Sequence, residues 1–192
     1  MEGNGSGGLN VINHIINLVN CFRKVLELHN EHLDCFYRYS QVEGWLKGEL
    51  LPFLEEKKNA GTIINFDTEV RPNTSGQRVD ICLEILNGGF RSYAWIELKQ
   101  WRISYEKGNK LLLSYYFSDP GSAGIKPEIK KFEKINSGNK YILILMTRNP
   151  GKAEWLKNVN KFNKKTPHPC IKALTRPEEY PDRYFLGLLE IL

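Results

Sequence analysis

The chain has few cysteines and none of them cluster. Cys21, Cys35, Cys82 and Cys170 are scattered over 192 residues without a Cys-x-x-Cys. Neither a structural zinc knuckle nor a disulfide framework is implied, and the four read as small apolar core residues in a reducing, cytoplasmic setting. The histidines are equally sparse: His14, His29, His32 and His168 stand near no recognisable partner, and read as surface or core residues. No apolar run approaches the ~20 residues needed to cross a bilayer, so no membrane partner is expected. The first residues, MEGNGSGG, lack a basic stretch followed by an apolar one. They are expected to form a flexible tail over residues 1–8 and not a signal peptide. Beyond that tail there is no low-complexity segment and no internal repeat. No recognition-helix or zinc-finger signature offers site-specific reading of DNA.

What is present is positive charge, unevenly spread. The formal net charge is +5, and the second half carries most of it. Between Lys126 and Lys165, a run of lysines and Arg148 is opposed only by Glu128, Glu133 and Glu154. Such a surface suits a polyanion. Lys126, Lys130, Lys131, Lys134 and Lys152 are the candidate phosphate contacts, giving salt-sensitive affinity with little sequence information.

The length suggests a single domain over 9–192 with one sizeable core. Leu9 to about Asn30 is periodic as a helix, and a second helix runs from about Glu31 or Cys35 to Lys57. Ile63 to Val70 reads as a strand and Arg71 to Gly76 as a loop. Leu111 to Phe117 fits helix or strand, and Asp119-Pro120-Gly121 ends it. Pro127 to Ile135 reads as a helix entered at proline. Tyr141 to Thr147, YILILMT, is apolar on both faces, as in a covered sheet. Gly151 to Phe162 is a helix, Pro167 and Pro169 mark a loop, and Tyr184 to Ile191 is a last strand. The sum is an α/β fold with a central mixed β-sheet flanked by helices.

The stretch Gln77 to Gln100, QRVDICLEILNGGFRSYAWIELKQ, carries the chemistry. Val79, Ile81, Leu83 and Ile85 share one strand face; Asp80, Cys82 and Glu84 share the other. In the next strand Ala94, Ile96 and Leu98 alternate with Trp95, Glu97 and Lys99. The turn between them is Asn87-Gly88-Gly89. A two-residue Gly88-Gly89 turn puts Asn87 opposite Phe90 and, counting outward, Asp80 opposite Glu97. Directly opposed side chains have Cβ atoms about 5 Å apart. A slip of one residue would send the two acids to opposite faces. Two carboxylates that close repel unless a cation or a proton joins them. Mg²⁺ takes such oxygens, keeps several waters and is completed by phosphate oxygens. A lysine beside it, here Lys99, can orient water or stabilise charge on phosphate.

The second helix offers a further acid. Tyr39, Val42, Leu46, Leu50, Phe53 and Leu54 form an apolar stripe at helical spacing. Glu43 projects inside it, Glu49 nearer its edge, and an ionised glutamate on a buried face is costly unless paired or bound to metal. Glu43 is therefore the candidate third carboxylate, with Glu49 in reserve.

Together Glu43 in SQVEGWLKGELLPFLEE, Asp80 in GQRVDICLEI and Glu97-x-Lys99 in AWIELKQ resemble the PD-(D/E)XK nuclease superfamily, which includes restriction endonucleases and Holliday-junction resolvases. Val79 stands where the name-giving proline would be. The resemblance implies a restriction-endonuclease-like core over about 36–147: a helix, an antiparallel three-stranded meander, a helix and a parallel strand. It implies that Asp80 and Glu97 hold Mg²⁺, with Mn²⁺ as a substitute. Lys99 would assist the attacking water, Glu43 would complete the shell, and the Leu98 carbonyl would be a further ligand. Gln100, next to the lysine, is a weaker candidate for phosphate, and Trp101 reads as a packed aromatic. The expected activity is a Mg²⁺-dependent nuclease, a hydrolase acting on DNA more than RNA, with a homodimer the arrangement that cutting both strands often calls for. The rivals are a non-catalytic nucleic-acid-binding module on the same fold, and a protein–protein adaptor.

Overall fold

The computed structural model describes residues 6–28, 43–72, 77–103, 112–118, 121–166 and 168–192. Helices α1 (Ser6–Leu28) and α2 (Glu43–Asn59) precede strands β1 (Asn65–Val70), β2 (Val79–Asn87) and β3 (Phe90–Trp101). Helices α3 (Leu113–Ser118) and α4 (Lys126–Phe132) lead into β4 (Asn139–Met146). Helix α5 (Lys152–Asn163), β5 (Ile171–Ala173) and β6 (Phe185–Ile191) follow. The strands form one six-stranded mixed sheet in the order β1-β2-β3-β4-β6-β5, with one parallel pair, β3 and β4.

The expected hairpin register is present. Pairing runs from Asn87↔Phe90 to Ile81↔Ile96, and the turn residues Gly88 and Gly89 have φ of 58° and 87°. Two successive positive φ values give the tight turn whose twist matches the strands, and glycine adopts them without strain. Asp80 and Glu97 are the next residue outward on each strand.

Packing divides the chain into two compact units: Met1–Ile96 with Ser137–Asn139, and Glu97–Asn136 with Lys140–Leu192. In the first, α1 buries Val11, Ile15, Leu18, Val19, Phe22 and Leu26, one stripe at helical spacing. Phe22 meets Phe53 of α2 with ring centroids 5.3 Å apart. Val79, Ile81, Leu83 and Ile85 of β2 are all buried, as their alternation requires.

In the second unit β4 is buried from Tyr141 to Met146 and β6 along its whole length, the mark of a sheet covered on both faces. Trp155 of α5 sits edge-on to Phe185 and is fully buried. Gly187 lets it in: a Cβ there would lie 3.2 Å from Trp155, Met146 and Phe185. Trp101 is a packed aromatic, stacked 4.8 Å from Tyr116, with its indole N–H donating to the Ala123 carbonyl at 3.1 Å.

Several boundaries differ from the sequence reading. The stretch 29–42, where the second helix was expected to begin, lies outside the described residues, as do 73–76, 119–120 and 167. Of the expected tail, 1–5 also lie outside, while Ser6 to Gly8 already belong to α1. The helix entered at Pro127 ends at Phe132, short of Ile135, which is nonetheless buried. Leu113–Ser118 resolves to helix, and β5 was not anticipated. Three residues show no periodicity, and Ile171–Ala173 is a strand only because β6 pairs with it. No helix among the described residues is long and apolar enough to cross a membrane.

Candidate functional site

The E-x-K of β3 sits in a network that joins four charges among the described residues. Glu97 and Lys99 share a strand face because they are two residues apart. Glu128 and Lys131 share a face of α4 because they are three apart. Lys99 Nζ lies 3.4 Å from Glu97 Oε1 and 2.9 Å from Glu128 Oε1. Lys131 Nζ lies 2.5 Å from Glu97 Oε2 and 2.7 Å from Glu128 Oε2. All four side chains are between 8% and 14% exposed. Ions this buried persist only when their partners compensate desolvation, which costs several kcal/mol each. These four described groups, two carboxylates and two ammoniums, balance one another in charge. Burial raises the Glu128 carboxyl, but the hydrogen bond from Lys131 and the charge of Lys99 outweigh it and hold the group below the usual carboxylate range.

Ile129 and Phe132 bury the apolar side of α4, buried Ile125 directly precedes it, and Pro127 opens its first turn. That burial fixes the rotation that presents Glu128 and Lys131. Lys131 was expected among the surface phosphate contacts, but here it is an internal partner of Glu97. Lys130 and Lys134 are exposed and Lys126 half-buried. Lys152 is exposed and 3.0 Å from Glu178. Gln100 is half-buried, and the Leu98 side chain lies wholly in the core.

Asp80 belongs to the other unit and has its own setting there. Lys47 of α2 pairs with Glu69 of β1, and its Nζ is 3.6 Å from Asp80 Oδ1. The β1–β2 register, Thr68↔Ile81 and Val70↔Val79, brackets Glu69 and Asp80. Glu69 has φ 53°, the one positive value at a non-glycine among the described residues. A side chain is disfavoured there, and such strain tends to collect at functional positions. Burial lowers the Lys47 ammonium, but Glu69 and Asp80 outweigh it and the net shift is upward.

Glu43 is exposed, which corrects the expectation that it is buried on the apolar stripe. It is the first residue of α2, and the buried face begins a turn later, at Leu46, and continues through Leu50, Phe53 and Leu54. Glu49, the reserve, is half-buried. Sequence reading missed Glu69, Lys47 and Glu128 altogether. The available signal was weak: Glu128-x-x-Lys131 is an ordinary helix-surface spacing.

Among the described residues no group of three or more His, Cys, Asp or Glu is placed to hold a metal ion. A carboxylate oxygen is the donor a hard cation takes, and both Glu97 oxygens here face ammonium groups. Glu97 is a carboxylate 6% exposed, a group that in such a setting draws positive charge to itself. A Mg²⁺ ion needs few protein oxygens because it keeps water and takes phosphate oxygens. No protein-family model, no curated protein and no solved structure matches this chain.

Proposed function

We propose that this chain is a divalent-metal-dependent nuclease on a PD-(D/E)XK, restriction-endonuclease-like core, hydrolysing phosphodiester bonds of DNA in preference to RNA. The observation that carries the reading is the burial of Glu97 and Lys99 on β3. A buried E-x-K is costly to keep and has no packing advantage over apolar residues. The element order supports it: α2, the antiparallel β1-β2-β3, then α4 and a β4 parallel to β3.

In this reading Glu97 and Asp80 hold Mg²⁺ or Mn²⁺, with Glu43, Glu49 and the Leu98 carbonyl as further candidates. The hairpin register in this reading extends one residue beyond Ile81↔Ile96, as the sequence predicts. A divalent ion held there would supply polarisation of the scissile phosphate and a more acidic water. Lys99 orients that water and stabilises charge developing on the phosphate. Glu128 is a positioning residue: at 2.9 Å its carboxylate holds the Lys99 ammonium in place. Lys126, Lys130 and Lys134 steer the phosphate backbone, and a two-fold pair of chains serves both strands.

One observation favours a second reading, a non-catalytic nucleic-acid-binding module. Glu97 already has two ammonium partners, so its charge is balanced without a metal. Incubation with supercoiled, linear and branched DNA and with RNA, in Mg²⁺, in Mn²⁺ and in chelator, separates the two. Metal-dependent cleavage supports the nuclease. Salt-sensitive binding without cleavage in any metal supports the module.

A further inference from the structure

We propose that the cleft between α3 and α5 is a binding site for a free nucleoside monophosphate, built from residues that play no part in the Glu97 network. The cavity has a volume of about 370 Å³, within the size range of small-ligand sites. Its floor is aromatic: Phe117 and Phe162 are buried, with centroids 6.2 Å apart and rings inclined at 66°. Its mouth holds two large apolar side chains still in contact with water, Tyr115 at 42% exposure and Leu112 at 46%. Covering them with a flat apolar body is favourable, at roughly 25 cal/mol per Å² removed from water.

The same mouth carries Lys161 and Lys165, four residues apart along the end of α5 and the turn after it. Neither makes an ion pair among the described residues. Among the described residues that line the cavity there is no carboxylate. The site therefore complements a ligand that is a planar ring at one end and an anion at the other. A base against Tyr115 and Leu112, with its phosphate between the two ammoniums, satisfies both ends.

The aromatic side of the mouth is held in advance. Tyr115 meets Tyr116 edge to face at 5.3 Å. The Tyr116 hydroxyl donates to the Arg102 carbonyl at 3.0 Å and accepts from the Arg102 N–H at 2.8 Å. Tyr116 also stacks on buried Trp101. A platform so anchored loses little entropy when a ring is laid on it.

The test is a titration of the full chain in chelator with AMP, adenosine or inorganic phosphate, read by calorimetry and by amide shifts. AMP is expected to bind at least tenfold more tightly than adenosine or phosphate, and to move the amides of Tyr115, Phe117, Lys161 and Phe162. Lys161→Glu with Lys165→Glu should cost at least tenfold in AMP affinity with the melting temperature unchanged. Tyr115→Ala should weaken AMP and leave phosphate as it was. AMP binding no tighter than phosphate, shifts confined to other residues, or affinity indifferent to these variants would overturn the proposal. Working without metal separates it from the nuclease reading. Glu97→Gln should bind AMP as the wild type does, and an absence of cleavage has no bearing on this cleft.

Discussion

Removing the Glu128 carboxylate takes one acid from both Lys99 and Lys131 in a setting with little water. Breaking one side of a buried ion network is strongly destabilising because it strands a charge. Glu128→Ala should lower unfolding free energy by about 3 kcal/mol in urea melts. Glu128→Met combined with Lys131→Met should cost less than the two single changes added together, since the pair leaves together. An additive result would mean that the two do not share a network. Glu190 gives a pH-dependent counterpart. Burial raises its carboxyl above the usual range, and Lys172, 4.0 Å away, only partly offsets this. A raised acid binds more protons folded than unfolded, so it costs stability above its unfolded pKa and that cost fades as the pH falls. Glu190→Gln should therefore melt higher than wild type at pH 7, with the gap closing toward pH 4. A gap that widens in acid would contradict this. At this scale the sequence was partly legible. Asp80, Glu97 and Lys99 could be singled out because strand alternation puts polar residues against an apolar frame. Glu128 could not, because its burial depends on how α4 rolls onto β3. Glu43 misled for a similar reason: its angle on the helix is set by local geometry, but whether anything covers that end is not.

Strands and helices were easier to read where one pattern decided them. The β2–β3 hairpin follows from two alternating runs and a Gly-Gly bend, and its register needed no tertiary information. YILILMT is apolar throughout and had to be covered on both faces. By contrast α3 and β5 are short, and their state is decided by neighbours: Tyr116 and Phe117 pack against Trp101 and Trp155, and Ile171–Ala173 pairs with β6. One element has a sharp test. Gly138, just before β4, has φ 84°, and a Cβ there would lie 2.8 Å from Trp95 Nε1 and 2.9 Å from the Tyr93 carbonyl. The Trp95 indole N–H also donates to the Ser137 carbonyl at 2.8 Å. The turn is thus held against β3 by a bond that needs the missing side chain. Gly138→Ala should cost about 2 kcal/mol or more from the backbone conformation and the clash together. A neutral Gly61→Ala would not serve as an equivalent control, since Gly61 has positive φ but open space around it; a neutral Gly138→Ala would show that the turn relaxes freely.

For the molecule as a whole, the α/β class and the mixed sheet were foreseeable from the order of periodic segments. The division into two compact units was not, since the boundary after Ile96 falls inside a continuous strand with no break in composition. The same strand carries both the hairpin and the E-x-K, so the proposed chemistry and the fold depend on β3 together. The basic second half is consistent with a polyanion but does not name one. If Asp80 and Glu97 serve a metal-dependent cut, the nicking rate of supercoiled DNA must depend on both. Wild type, Asp80→Ala, Glu97→Gln and Lys99→Met should be compared in saturating Mg²⁺, each shown by its melting curve to be folded. The wild type should nick the plasmid and stop in chelator, with at least a hundredfold loss in each variant, on the scale of losing one transition-state group. Nicking that survives chelation, or that persists at the wild-type rate in folded Glu97→Gln, would contradict it.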